Sequence, residues 1–143
     1  MLDLANYQRP DVIRDALALK RIAVVGLSNN PARPSHDVAR YMLNQNNGYE
    51  IIPVNPRETA IFEAQCYPDL LAAREACGEI DMVNVFRESS AVPAIAAEAA
   101  AIGAKVLWLQ LGVISEEGIQ FAEMAGLKLV VDRCLKIEHA RFC

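Results

Sequence analysis

No apolar run in this 143-residue chain reaches the ~18 residues that a membrane-crossing helix needs. The first ten residues, MLDLANYQRP, lack the basic-then-apolar order of an export signal. A cytoplasmic location is therefore expected. Four cysteines, Cys66, Cys77, Cys134 and Cys143, form no C-x-x-C pair, and the only histidines are His36 and His139. That supply is too poor for a zinc site, so free and mostly buried thiols are expected. Positive charge is not in excess: the net charge is -4 and the pI about 5.2. General attraction to nucleic acid or to an anionic membrane is excluded on that balance. No Ser/His/Asp order stands out, and no pair of carboxylates has a setting that predicts a raised pKa.

What is present is a strongly periodic α/β pattern. Five apolar runs recur: RIAVVG (21–26), YEIIPV (49–54), DMVNVF (81–86), KVLWLQ (105–110) and LKLVVD (127–132). Each is strand-length and continuously rather than alternately apolar, as in strands covered on both faces. Helical stretches lie between them. Pro10–Leu19 opens with proline in its first turn. Ser35–Asn46 carries Val38, Tyr41, Met42 and Gln45 at helical spacing. Asp69–Cys77 is a shorter helix, with Tyr67-Pro68-Asp69 as its start. Ala91–Ile102 follows Ser89 and Ser90 as candidate caps and stops at Gly103. Glu116–Ala125 follows Ser115, has acids in its first turn and stops at Gly126. The pattern predicts a Rossmann-like three-layer sandwich with a five-stranded parallel sheet, strand order 3-2-1-4-5, and helices on both faces. No composition shift divides the chain, so residues 1–143 read as one domain ending in a tail at 133–143. Asn55–Tyr67 is long for a connection, and long loops of that kind are often functional.

Ligands of such sheets bind at the carboxyl ends of the strands, near the switch in strand order. Three of the first four strand exits carry an arginine: Arg33, Arg57 and Arg87. An anionic ligand is expected there. The helix start at Pro34-Ser35 adds backbone N–H groups, and Ser28 and Ser35 add hydroxyls, for a nucleotide phosphate. The dinucleotide fingerprint G-x-G-x-x-G is missing; from Gly26 the chain reads G-L-S-N-N-P. The second strand ends Val54-Asn55-Pro56-Arg57, without the acid that holds an unphosphorylated ribose, although Glu58 is near. An arginine there suits a phosphorylated ribose, as in NADP or coenzyme A.

The segments VVGLSNNPARPSHDVARYM, IIPVNPR, CYPDL, DMVNVFR, GAKVLWLQLGV and VVDRCLKIE resemble, in this order, the small single-domain CoA-binding proteins. These are similar to the CoA-binding domain of the succinyl-CoA synthetase alpha subunit. The resemblance implies coenzyme A or an acyl-CoA as ligand. It implies that Gly26, Leu27, Ser28, Arg33, Pro34 and Ser35 line the diphosphate and the pantetheine entry. Val54, Asn55, Pro56 and Arg57 would hold the adenosine and its 3′-phosphate. Val85, Phe86 and Arg87 would flank the nucleotide, and Gln110 and Gly112 would close the far side. Two departures stand out. Relatives often carry an Ile-Leu-Gly turn where this chain has Ile61-Phe62-Glu63, and a DRCP segment where Leu135 follows Cys134 here. The synthetases need a phosphorylated histidine in a second domain, whereas His36 at a helix start and His139 in the tail are expected to be exposed polar residues. The expected function is thus small-molecule binding without self-contained catalysis. The alternatives are an NADP-linked oxidoreductase or redox sensor on the same scaffold, and a mixed disulfide of Cys66 or Cys134 with the CoA thiol. Trp108 and Phe86 are expected to be core residues.

Overall fold

A computed structural model describes residues 2–46 and 48–143; Met1 and Asn47 lie outside the described residues. The chain begins with a 3-10 turn at Leu4–Tyr7 and α1 at Pro10–Leu17. It continues as β1 (Arg21–Val25), α2 (Pro34–Leu43), β2 (Glu50–Val54), β3 (Ala60–Ile61), β4 (Ala64–Gln65) and α3 (Leu70–Cys77). The second half comprises β5 (Met82–Val85), α4 (Val92–Ala101), β6 (Val106–Leu109), α5 (Glu116–Met124), β7 (Lys128–Val131) and α6 (Leu135–Phe142). All five expected strands form, as one parallel sheet. Residues buried on both of its faces explain the continuous apolar runs. Ala23, Val25, Val83, Val85, Leu107 and Leu109 face α3, α4 and α5. Ile22, Val24, Met82, Trp108 and Val130 face α1, α2 and α6.

The strand order is a correction. The sheet runs β2-β1-β5-β6-β7, which in terms of the five apolar runs is 2-1-3-4-5 rather than 3-2-1-4-5. The physical reason is Pro53. In the expected order the second strand would be hydrogen-bonded on both sides, and proline has no N–H to give a second neighbour. Here β2 is the edge, and the Pro53 carbonyl faces outward, accepting the N–H of Tyr67 at 3.0 Å. Tyr67 also accepts the N–H of Asn55 at 2.8 Å, so the β3–β4 hairpin and its return cover the carboxyl half of that edge. The chain then crosses through α3 to place β5 on the other side of β1. The switch in strand order therefore lies between β1 and β5, the site of the ligand crevice in sheets of this order.

Smaller corrections follow from local bonding. Helix α1 ends at Leu17, two residues early, and the segment read as a tail contains α6. Ser89 and Ser90 do not cap α4. They form a 3-10 turn, and Ser89 Oγ instead accepts the N–H of Ile114 at 3.0 Å. Asp69 and Ser115 do cap α3 and α5, accepting from the Ala72 and Gly118 N–H groups. Both histidines are buried rather than exposed. His36 Nδ1 lies 2.9 Å from the Ser28 carbonyl, and His139 Nδ1 2.9 Å from the Tyr41 hydroxyl. Trp108 is core, as expected, with its indole N–H donated to the Arg133 carbonyl at 2.8 Å.

Candidate functional site

At the carboxyl ends of β1, β2 and β5 a cavity of about 770 Å³ opens between the strand exits and the helices α3 and α4. That volume is within the range of pockets that hold a nucleotide-sized ligand. Its position follows from Gly26, the first residue past β1. Gly26 has φ +88°, donates its N–H to the Val54 carbonyl at 2.8 Å, and passes so close to β5 that a Cβ there would stand 2.6 Å from the Phe86 oxygen. Glycine is required by both the backbone angle and the contact.

The loop after Gly26 satisfies itself. Ser28 donates its N–H to Ser35 Oγ, Asn30 to Ser28 Oγ, and Ala32 to Asn30 Oδ1, each at 3.0 Å. Ser35 and His36 thereby tie Ser28 to the start of α2 from both its N–H and its carbonyl. The expectation that this helix start offers a row of free N–H groups is corrected in part. Pro31 and Pro34 have none, and most others are already engaged. Charge recognition here falls to side chains.

Asn55 links this loop to the next. Its Nδ2 donates to the Leu27 carbonyl at 3.0 Å, and its Oδ1 accepts the Arg57 N–H at 2.9 Å. The cavity lining includes Gly26 and Arg33 from the first loop, Val54, Asn55, Pro56 and Arg57 from the second, and Phe86 and Arg87 from the third. Phe86, expected in the core and, from the resemblance, beside the nucleotide, lies in the cavity wall. Among the described residues, the exposed Arg33 and Arg57 have no carboxylate partner. Arg87 has one. Its Nε and Nη2 reach the two Glu88 oxygens at 3.2 and 2.8 Å. That bond holds the guanidinium more firmly protonated than usual and the Glu88 carboxyl below its ordinary range.

The remaining expected residues lie elsewhere. Leu27 and Val85 are core, Ser28 and Ser35 bind each other, and Pro34 is exposed at the start of α2. Gln110 is buried, its Oε1 accepting from Asn84 Nδ2 at 3.2 Å and from the Leu135 N–H at 2.9 Å. Gly112 donates to Asp132 Oδ1 at 2.7 Å. Both follow from the strand order: β6 is one strand removed from the β1/β5 switch, so its exit tethers the chain ends of β7 and α6 instead.

Sequence reading missed the opposite wall, made of Pro68, Asp69 and Leu70 before and in α3, and Ala91, Ala94, Ile95 and Glu98 at α4. Asp69 accepts the Ala72 N–H at 2.8 Å and Glu98 the Leu70 N–H at 3.1 Å. Two carboxylates thus hold the first turn of α3, beside an apolar slot. The signal was available: with β2 as an edge strand, α3 must return past the exit of β1. The cysteines do not join the cavity lining. Cys66 is buried and bonded toward the Asn55 carbonyl at 3.5 Å, and burial pushes its thiol pKa up. Cys134 is buried at the start of α6.

Comparison with known proteins gives a concordant picture. The model of a CoA-binding domain matches residues 20–140. The chain is 46% identical over 121 residues to the protein YneT of Bacillus subtilis (strain 168), covering 85% of this chain and 86% of that one. It is 35% identical over 120 residues to the ADP-forming acetate–CoA ligase II of Archaeoglobus fulgidus, covering 82% of this chain but only 17% of the ligase. Among solved structures, a hypothetical protein from Pyrococcus horikoshii OT3 superposes with a TM-score of 0.89 at 31% identity, covering 99% of this chain and 97% of that one.

Proposed function

The chain belongs to the CoA-binding domain family, and from that premise we propose that it binds coenzyme A or an acyl-CoA in the crevice beside the β1/β5 switch. The observation that carries the reading is the convergence of Arg33, Arg57 and Arg87, from three separate strand exits, on one cavity of about 770 Å³. Coenzyme A carries phosphate at two places, a diphosphate and a 3′-phosphate, and needs cations at both. Arg57, beyond the edge strand, takes the 3′-phosphate; Arg33 and Arg87, flanking Gly26, take the diphosphate. The apolar slot of Pro68, Ala94 and Ile95 covers uncharged parts of the ligand. Residues 1–143 act as one binding unit without catalysis of their own. The partner is a small molecule and neither nucleic acid nor a membrane. The setting is the cytoplasm. The net charge of -4 and the lack, among the described residues, of a helix long and apolar enough to cross a membrane support this.

Thermal unfolding with coenzyme A, 3′-dephospho-CoA, NADPH and NADH tests the proposal. A ligand at 100 times its Kd stabilises by ~2.7 kcal/mol, which raises Tm by about 5–10 °C in a domain near this size. The expected order is coenzyme A first, dephospho-CoA weaker, and both nicotinamide dinucleotides weakest. A shift with NADPH and none with coenzyme A would overturn the reading in favour of a nicotinamide cofactor.

A further inference from the structure

Of the three arginines at the crevice, one is already occupied by an anion of the protein itself. Both oxygens of Glu88 are engaged by Arg87, at 2.8 and 3.2 Å, in the fork geometry that guanidinium also uses for phosphate. The stem of Arg87 lies over Gly26, its Cδ 3.1 Å from where a Cβ on that glycine would stand. This fixes the side chain at the β1/β5 switch. The backbone of Glu88 is anchored by the bond from the Ala91 N–H to its carbonyl at 2.9 Å, whereas its side chain is 61% exposed and free to swing into solvent. Resting on the CoA reading above, we propose that Glu88 is a built-in competitor for Arg87, displaced when a ligand phosphate arrives. It makes the crevice select phosphoryl over carboxyl anions. A ligand carboxylate that evicts Glu88 only replaces one carboxylate by another. The diphosphate of coenzyme A brings two negative charges and four non-bridging oxygens to the same fork, against one charge and two oxygens on a carboxylate.

The test is a double-mutant cycle with coenzyme A and tricarballylate as probes. Titration calorimetry on the wild type, Glu88→Gln, Arg87→Met and the double variant reads affinity. The Arg87 Nε–H signal in ¹⁵N spectra reads the exchange of partners directly. Glu88→Gln is expected to tighten coenzyme A by about two- to fivefold, the strength of a part-exposed ion pair. No such gain is expected when Arg87 is already Met. The Nε–H signal should move on saturation of the wild type with coenzyme A, and tricarballylate should compete measurably only against Glu88→Gln. An equal gain with and without Arg87 would show plain removal of negative charge and overturn the inference, as would an Nε–H signal that coenzyme A leaves in place. Failure of all four proteins to bind coenzyme A overturns the underlying reading, whereas binding that ignores Glu88 overturns this inference alone.

Discussion

Replacing Gly26 with alanine attacks the geometry on which the crevice depends, and two terms set its cost. The first is conformational: at φ +88° an L-residue with a Cβ is strained by roughly 1–2 kcal/mol. The second is steric. The new Cβ would lie 2.6 Å from the Phe86 carbonyl oxygen, inside the closest approach that real Cβ atoms show. That oxygen cannot simply retreat, because Phe86 donates its own N–H to Val25 at 2.8 Å and so closes the β1–β5 ladder at the crevice. Moving it lengthens that bond, at about 1 kcal/mol. The sum is about 2–3 kcal/mol, a large part of the stability of a domain this size. Urea denaturation should show the midpoint lowered with little change in slope. Gly103→Ala is the control: Gly103 has φ +75° with nothing within 4 Å of its Cβ position, so it incurs the conformational term alone. Equal losses in the two variants would refute the steric argument and the close approach of β1 to β5 behind it.

Arg57→Ala removes an exposed cation without a carboxylate partner among the described residues, so the fold should be intact by circular dichroism. Coenzyme A should bind about tenfold or more weaker and dephospho-CoA nearly unchanged, at the lower end of a charge-assisted contact; equal weakening of both would remove Arg57 from the 3′-phosphate. Glu63→Gly relieves a residue held at φ +62° in the β3–β4 turn, where Phe62 also sits at φ +54°. It should raise stability by roughly 1 kcal/mol in thermal unfolding, and a loss would mean that the Glu63 side chain contributes to the fold. Burial, then the nearby Lys20 charge, holds the His139 pKa below its ordinary 6.5. The unfolded chain therefore takes up the proton more readily, and stability should fall as pH drops through about 6.5 toward the lower folded value. His139→Gln should flatten that slope, and an unchanged slope would assign the pH dependence to other groups. Burial first, then the Cys143 and Tyr41 charges, pushes the Tyr49 hydroxyl up to about 12. Stability is fully present below pH 10 and should decline between about pH 10 and 12, a decline that Tyr49→Phe should remove if this hydroxyl is its source.

The strands were legible because burial on both faces leaves a mark that needs no tertiary knowledge: Val, Ile and Leu without alternation, as in IAVV and VLWL. The helix stops at Gly103 and Gly126 were legible for a local reason as well, since each takes a positive φ just past its helix. What failed was long-range or reciprocal. Ser89 looked like a cap because serine before an apolar run usually is, but a β6 exit loop that only the fold brings near takes its oxygen. His36 and His139 looked exposed because one stands at a helix start and the other in what reads as a tail. Their burial depends on Ser28 and on Tyr41, residues eight and ninety-eight positions away.

The strand order is the instructive failure, because the information was local after all. Pro53 stands one residue from the end of β2, and a proline there withholds the N–H that a fully paired strand on that side would need. Read that way, the second strand is an edge, the third must pair with the first, and the crevice falls at the β1/β5 switch rather than one strand farther along. The same deduction removes Gln110 and Gly112 from the crevice wall. It also brings in the start of α3, with Asp69 and Pro68, as the chain returns over the exit of β1. The three arginines come to one cavity for a reason independent of order. Arg33, Arg57 and Arg87 follow β1, β2 and β5, which are three neighbouring strands in the order found, as they would be in the order expected. In 3-2-1-4-5 the middle strand would have been β2, and Arg57 would have sat between the other two. In the order found the middle strand is β1, so the loop after Gly26, not the adenosine-side loop, occupies the centre of the site. Arg87 and its Glu88 partner lie directly across from it.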